Sequence, residues 1–183
     1  MRMEYNTVLE TERLRLCQLS DDSQDDRRLV LDLLNDADFL RFIGDRGVRD
    51  LEQAAHYLRE GPIASYRANG HGLYRIERKH DGASLGMCGL VRRAALPGPD
   101  LGYALLPRYR GLGYVAEAGL AVLGDAHARL GLDEVLAVVD PENAASIRCL
   151  RAMGFAYREP VRLSADDIEL HLFGWQPPRG SNA

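Results

Sequence analysis

Two periodicities of apolar residues divide this chain into predicted strands and helices. Apolar and polar residues alternate around Leu14 and Leu16, and short apolar runs follow in GLYRIERK, SLGMCGLVRR, PDLGYALL, DEVLAVVD and IELHLFGW. Such runs predict β-strands. Asp81-Gly82 lies between the first two of these later runs and is typical of a tight hairpin turn. The pattern therefore predicts an antiparallel meander in the middle of the chain.

Helical spacing of apolar residues appears in SDDSQDDRRLVLDLLND, RDLEQAAHYLREG, residues 113–130 and PENAASIRCLRAMG. Asp50 is the predicted N-cap of the second helix, and Gly61-Pro62 is its predicted end. The element order is a strand, two helices, the meander, a helix, a strand, a helix and a strand. This order is typical of a mixed-sheet α/β protein. We expect a single parallel crossover, over residues 99–140, whose helix lies across the sheet.

Length and composition fit one soluble domain. The chain has 183 residues, of which 46% are hydrophobic, and it has a net charge of −4. That charge argues against a general nucleic-acid binder, and no apolar run is long enough to span a membrane. The first residues have no apolar signal-peptide core, so a cytoplasmic location is expected. Cys17, Cys88 and Cys149 lack metal-ligand spacing and are predicted to be core thiols in a reducing compartment.

The strongest candidate for a functional site is the junction LLPRYRGLGYVAEAGLAVLG, residues 105–124. A strand that runs into a helix here leaves the first backbone amides of the helix without partners. Gly111 and Gly113 allow a ligand to approach the backbone, and the helix dipole favours an anion. Arg108 and Arg110 would add positive charge, so the junction predicts a phosphate or pyrophosphate site. An ordinary strand-to-helix turn with solvated arginines remains the alternative.

Two other phosphate-binding motifs fit less well. A P-loop requires a lysine after its second glycine, and the junction has none. GLGYVA does match the GxGxxA pattern of dinucleotide-binding folds, but Pro107 to Arg110 separate it from the strand. Asp140 also follows Gly111 by 29 residues, where about 20 is usual for the ribose-binding acid. A nicotinamide-dependent enzyme is therefore the weaker alternative.

At this point the sequence resembles a known family. RYRGLG resembles the R/Q-x-x-G-x-G/A acyl-CoA motif of the GCN5-related N-acetyltransferases, the GNAT superfamily. Residues 100–155 resemble more closely its RimJ/RimL-like subgroup, which acetylates the N-termini of ribosomal proteins. The matching residues are Asp100, Leu101-Gly102-Tyr103, Gly111-Leu112-Gly113-Tyr114, Glu117-Ala118, Asn143, Ser146 and Gly154-Phe155.

The resemblance implies a fold and an activity. The fold is a mostly antiparallel central sheet with a splayed parallel strand pair and helices on both faces, in one domain over residues 1–176. Residues 177–183 are expected to be a disordered tail. The implied activity is acetyl transfer from acetyl-CoA to a primary amine, a protein N-terminus or a small molecule, by direct attack in a ternary complex. No metal is implied, the protein would be a monomer or homodimer, and a non-catalytic acyl-CoA-binding module is the alternative.

The resemblance also implies roles for individual residues. Arg108, Arg110 and the amides of Gly111, Leu112, Gly113 and Tyr114 would bind the pyrophosphate. The backbone of Leu105 and Leu106 would hold the pantetheine arm, with one amide directed at the oxyanion. Asn143 would contact the pantetheine, and Ser146 would hydrogen-bond the departing thiolate. Asp100 would be the general base through a water molecule, with Glu77, His71 and His171 as other candidates.

The sequence departs from the family pattern at two positions. Arg110 stands where the subgroup often has a tryptophan, and Leu150 stands where many members have a tyrosine that acts as general acid. The usual proton donor is therefore missing. Simpler roles remain open: Ser146 as a surface serine of the helix, Asn143 as an ordinary residue at its start, and Asp100 as a carboxylate at the strand edge.

Overall fold

An eight-stranded mixed sheet forms the centre of the computed structural model, which describes residues 6–179. The strand order is β1-β2-β3-β4-β5-β6-β8-β7. The strands are β1 (Thr7–Glu10), β2 (Leu14–Gln18), β3 (Leu73–Arg78), β4 (Ser84–Val91), β5 (Asp100–Leu105), β6 (Val135–Val139), β7 (Ala156–Val161) and β8 (Leu170–Trp175). The β3-β4-β5 meander confirms the predicted antiparallel centre of the sheet.

Six α-helices accompany the sheet within the described residues. They are α1 (Gln24–Leu34), α2 (Ala37–Phe42), α3 (Leu51–Leu58), α4 (Ala64–Asn69), α5 (Tyr114–Ala128) and α6 (Ala144–Ala152). A π-helical turn, Arg59–Ile63, joins α3 to α4, and a 3₁₀ turn, Pro107–Tyr109, follows β5. No helix in this part of the chain is long and apolar enough to cross a membrane.

The parallel pair β5-β6 is splayed, as predicted. The two strands pair at one position only, Asp100 opposite Leu136, near the start of both strands. The amide of Leu136 also donates to the carbonyl of Pro99 at 3.0 Å. Beyond this point the strands are not hydrogen-bonded to each other, so the sheet has a V-shaped gap that opens toward the end of β5. β5, α5 and β6 form the predicted crossover.

Two apolar cores cover the two faces of the sheet. One core packs α5 and α6 against the strands through residues such as Leu101, Leu123 and Leu150. The other packs α1 and α3 on the opposite face, around Leu33, Leu58 and Met87. Alternation of side chains along each strand places neighbouring residues in different cores. β5 is therefore flanked by helices on both faces of the sheet, whereas Leu136 of β6 packs in a third cluster with Leu96 and Leu172.

The structure contains elements that the apolar pattern did not predict. β1 has four residues and α2 six, too few to show a clear periodicity. β7 is exposed along nearly its whole length, contains Pro160 and lies at the sheet edge, where an apolar face is not required. β8 runs between β6 and β7, so the last two strands are not in sequence order.

The predicted end of the second helix at Gly61-Pro62 is wrong. The helix continues through the π-helical turn, which contains Pro62, into α4. Proline lacks an amide hydrogen and crowds the preceding turn of an α-helix, and the turn that contains Pro62 is π-helical here. The helix ends instead at Gly70, whose φ of +71° is left-handed. Residues 180–183 of the predicted tail lie outside the described residues.

Candidate active site

The turn before α5 leaves a row of backbone amides exposed. The first intrahelical bond runs from the amide of Glu117 to the carbonyl of Gly113 at 3.1 Å. No described residue accepts a hydrogen bond from the amides of residues 111–116, and no side chain caps the helix. These amides and the positive end of the helix dipole form a site for an anion, which we call the amide cradle.

Two glycines give the cradle its shape. Gly111 and Gly113 have φ of +73° and +80°, which side chains with a β-carbon disfavour. A β-carbon on Gly111 would meet nothing within 4 Å, so this position requires glycine for its backbone conformation and not for space. A β-carbon on Gly113 would lie 3.4 Å from Nη2 of Arg13.

Arg13 is the arginine that the fold brings to the cradle. Its Nη1 donates to the carbonyl of Leu112 at 3.1 Å, and its guanidinium lies over the Tyr114 ring. Glu117 fixes it, because Oε2 accepts from Nε of Arg13 at 2.6 Å while Oε1 accepts from Thr11 Oγ1 at 2.6 Å. Burial alone would raise the pKa of Glu117, but these hydrogen bonds lower it overall. Glu117 therefore acts as an anchor for the turn before β2.

Of the two arginines singled out in the sequence, Arg110 lies differently from expectation. Arg110 turns away from the amides: Nη1 donates to Asp38 at 2.7 Å and Nη2 to Asp36 at 2.6 Å. Its Nε also donates to the carbonyl of Leu105 at 3.1 Å. The guanidinium thus joins α2 to the end of β5 in place of contacting the cradle. Arg108 is exposed, with its guanidinium over the Tyr109 ring.

The backbone groups of β5 that point into the gap are not the ones predicted. The amide of Leu106 donates to the carbonyl of Leu85 at 2.9 Å, and its carbonyl accepts from Tyr109, so Leu106 has no free backbone group. Backbone groups alternate in direction along an antiparallel ladder. The amides of Tyr103 and Leu105 therefore point away from β4 and into the gap. Tyr103 takes the place of Leu106 as a candidate for holding a ligand there.

A pair of hydroxyl groups lies beside the gap. Oη of Tyr103 is 2.6 Å from Oγ of Ser146 and 3.2 Å from the Ser146 carbonyl oxygen. Burial raises the pKa of the Tyr103 phenol, and the Ser146 hydrogen bond only partly opposes that rise, so the phenol stays protonated at neutral pH. Its single hydrogen can go to either acceptor. When it goes to Oγ, the Ser146 hydrogen is free for another partner.

Asn143 and Leu150 have structural positions in α6. Oδ1 of Asn143 accepts from the Ser146 amide at 3.2 Å, which is an N-cap contact, and this leaves the Nδ2 group without a described partner. Leu150 is 1% exposed and belongs to the core that packs α6 against α5. A side chain at that position faces the core, and the position contributes no polar group.

Asp100 lies at the closed end of the gap. Its carboxylate is 1% exposed, and both oxygens accept from Nε of Arg93, at 3.0 and 3.1 Å. Burial raises the pKa of Asp100, and the Arg93 guanidinium opposes that rise. Its side chain shares a face of β5 with Ala104, which packs against the core of α1 and α3.

Comparison with known proteins agrees with this geometry. The profile of the family described as Acetyltransferase (GNAT) domain matches residues 13–156. The chain belongs to the GNAT acetyltransferase family. It is 30% identical over 162 residues to the uncharacterized protein YkkB of Bacillus subtilis, covering 87% of this chain and 91% of YkkB. It is also 30% identical over 154 residues to the uncharacterized N-acetyltransferase YoaA of the same species, covering 81% and 82%.

Solved structures share the fold. An acetyltransferase from Agrobacterium tumefaciens has a TM-score of 0.77 and 24% identity, covering 96% of this chain and 97% of that one. RimL, a ribosomal L7/L12 α-N-protein acetyltransferase in complex with coenzyme A, has a TM-score of 0.71 and 14% identity, covering 91% and 95%. These structures confirm the predicted mixed sheet, and the family match over residues 13–156 together with the relative YoaA confirms the assignment as an N-acetyltransferase.

Sequence reasoning missed two residues of this site. Arg13 is 99 positions from Leu112, and nothing in ETERLRL distinguishes it from the neighbouring Arg15. In the sequence Tyr103 stands out only as the third residue of the matching Leu101-Gly102-Tyr103, although its hydroxyl reaches Ser146. The joint presence of Leu-Gly-Tyr and Asn-x-x-Ser was the available signal, but only the parallel crossover shows that the two motifs are neighbours.

Proposed function

We propose that this protein transfers an acetyl group from acetyl-CoA to a primary amine by direct attack in a ternary complex. The observation that supports this most is the amide cradle beside an open gap in the sheet. A pyrophosphate suits amides of residues 111–116, and an extended pantetheine arm suits the free amides of Tyr103 and Leu105. The bound cofactor would direct its thioester into the gap between β5 and β6.

Within this proposal the chemistry needs an oxyanion donor and a proton for the leaving thiolate. An amide of β5 that points into the gap would donate to the oxyanion, a contribution of about 3–4 kcal/mol in known sites. Ser146, backed by the protonated Tyr103, would donate a hydrogen bond to the thiolate. The Tyr103–Ser146 pair would thus supply the hydrogen-bond donor for the thiolate that the apolar side chain of Leu150 cannot provide.

Asp100 is our candidate for the base that deprotonates the amine. Burial raises its pKa, which makes it a stronger base than an exposed aspartate, although it stays paired with Arg93. Its carboxylate is 1% exposed, so the proton would reach it through a water molecule. Asn143 would contact the cofactor through its Nδ2 group, because its Oδ1 is occupied by the N-cap contact.

The acceptor would enter from the face of the sheet that bears α1 and α3. A cleft of about 650 Å³ lies there, lined by residues that include Glu52, His56 and Tyr57 of α3. Asp100 points to the same face. The resemblance to the RimJ/RimL-like subgroup supports a protein N-terminus as acceptor, and the size of the cleft also suits a small-molecule amine.

Release of free thiol from acetyl-CoA tests the proposal. We would measure it with a panel of amines: peptides with free N-termini, polyamines and aminoglycosides, with N-acetylated peptides as matched controls. Turnover that depends on a free amine is the expected result. CoA binding without turnover on any amine would favour a non-catalytic acyl-CoA-binding module. Absence of CoA binding at millimolar concentration would refute the proposal.

A further inference from the structure

Two hydrogen-bond donors, Arg46 and Tyr57, lie together in the cleft of about 650 Å³ proposed for the acceptor. Arg46 belongs to the loop between α2 and α3, and Tyr57 belongs to α3. Neither side chain forms a hydrogen bond or an ion pair within the described part of the chain. We call this part of the cleft the Arg46–Tyr57 corner, and its donors are available to a ligand.

The loop that carries Arg46 is anchored to the rest of the fold. Val48 is 5% exposed, and its carbonyl accepts from Nδ2 of Asn35 at 2.8 Å. Asp45, which precedes Arg46, pairs with Nη2 of Arg49 at 2.5 Å. The carboxylate closest to Arg46 in sequence is therefore engaged elsewhere, and the Arg46 backbone is held at the rim of the cleft.

The Tyr57 hydroxyl connects this corner to Asp100. Burial raises the pKa of Tyr57, and the guanidiniums of Arg46 and Arg93 oppose that rise, so both lie close enough to act on the hydroxyl. Nε of Arg93 donates to both Asp100 oxygens, and no described residue accepts from its Nη1 or Nη2. The protonated phenol is a further donor. Donors for an anion are thus one guanidinium away from the candidate base.

The glutamates of the cleft lie away from the Tyr57 hydroxyl. Glu52 is 81% exposed and lies 3.9 Å from Arg27. Glu60 is exposed as well. Neither of them contributes to the pKa shift of Tyr57, whereas Arg46 does. The electrostatic environment of this hydroxyl is therefore set by guanidiniums.

The Arg46–Tyr57 corner keeps one positive charge after its ion pairs are counted. Arg93 is balanced by Asp100, and Arg59, which also lines the cleft, is balanced by Asp21 at 2.9 Å. Arg46 has no such partner among the described residues. A guanidinium without a carboxylate, next to a protonated hydroxyl, favours an anionic group on the ligand.

We infer that the amine acceptor of this protein carries a carboxylate, which binds at the Arg46–Tyr57 corner. This inference rests on the proposed function, which places the acceptor in the same cleft with Asp100 as its base. A carboxylate pairs with a planar guanidinium and accepts a further hydrogen bond from a hydroxyl. Free α-amino acids and peptides with an acidic second residue both have a carboxylate a few bonds from the amine.

Two matched pairs of acceptors test the inference in the thiol-release assay. One pair is a peptide with glutamate or glutamine as its second residue, and the other is a free α-amino acid and its amide. We expect the carboxylate-bearing member of at least one pair to have a kcat/KM at least about tenfold higher, and that pair identifies the source of the carboxylate. The amino-acid amide has the less basic amine, so amine basicity cannot produce a preference for the acid.

Substitutions at the corner locate the carboxylate. Arg46→Gln should reduce the preference to about twofold or less through a raised KM for the acceptor, and Tyr57→Phe should reduce it in the same way but less. The KM for acetyl-CoA should stay unchanged in both. Arg46→Lys keeps the charge and should keep most of the preference. Arg28→Gln, which removes an exposed arginine of α1, is the matched control and should keep all of it.

The outcomes separate this inference from the proposed function. Equal turnover of both members of each pair by the wild-type protein would overturn the inference and leave the proposed function intact. A full preference for the carboxylate in both Arg46→Gln and Tyr57→Phe would also overturn it, because the carboxylate would then bind elsewhere. Failure of every amine to be acetylated would refute the proposed function and the inference with it.

Discussion

Replacing Gly111 by alanine tests the amide cradle through its backbone conformation. The left-handed conformation costs a residue with a β-carbon about 1–2 kcal/mol relative to glycine. A β-carbon at Gly111 meets nothing within 4 Å, so no steric clash adds to this cost. The full penalty is therefore conformational and has a predictable size.

The penalty can appear in two places. If the turn of Gly111→Ala keeps its shape, the free energy of unfolding of the free protein decreases and CoA binds normally. If the turn relaxes, stability is kept and the ligand must restore the shape, which weakens binding by about 5- to 30-fold. In both cases the sum of the unfolding free energy and the CoA-binding free energy becomes less favourable by about 1–2 kcal/mol. This sum is the stability of the CoA complex relative to the unfolded chain and free CoA.

Denaturant unfolding of the free protein and calorimetric titration with CoA measure the two parts. Gly111→Asn should lose less in total, because asparagine tolerates the left-handed region better. Gly124→Ala is the matched control: Gly124 is exposed in α5 with open space around it, and alanine there should stabilise by about 0.5–1 kcal/mol without changing CoA affinity. A summed loss near zero in Gly111→Ala would refute the reasoning that the CoA complex holds residue 111 in the left-handed conformation.

Three further substitutions test individual residues. Ser146→Ala should lower kcat about 10²-fold with little change in the KM for acetyl-CoA; a raised KM with normal kcat would assign Ser146 to binding. Asp100→Asn keeps an acceptor for Arg93 but removes the base, so kcat should fall at least about 10²-fold, whereas normal kcat would leave Asp100 only as the anchor of Arg93. Arg110→Gln should lower Tm by about 2–4 °C and change the Kd of CoA less than about threefold, since its guanidinium bonds to α2; a large loss of CoA affinity would contradict that role.

Several features of this protein follow from the sequence because they depend on residues close together in the chain. The meander follows from alternating apolar residues and the Asp81-Gly82 turn, and the structure confirms it. The position of the cradle follows from two glycines at the start of an apolar helix. Backbone conformation and helix capping are local properties, so the pattern around residues 111–116 was sufficient to predict free backbone amides there, and the anion that they would bind stays a prediction.

Contacts between distant segments were decided only by the tertiary structure. Arg110 lies in the motif that suggested a phosphate ligand, but acidic residues of α2, 72 and 74 positions away, determine where its guanidinium points. Arg13 reaches the cradle because Glu117 holds it across the fold, and Leu106 loses its amide to β4 through the register of the ladder. A side chain takes the strongest partner within its reach, and which partners are within reach depends on how the strands and helices pack.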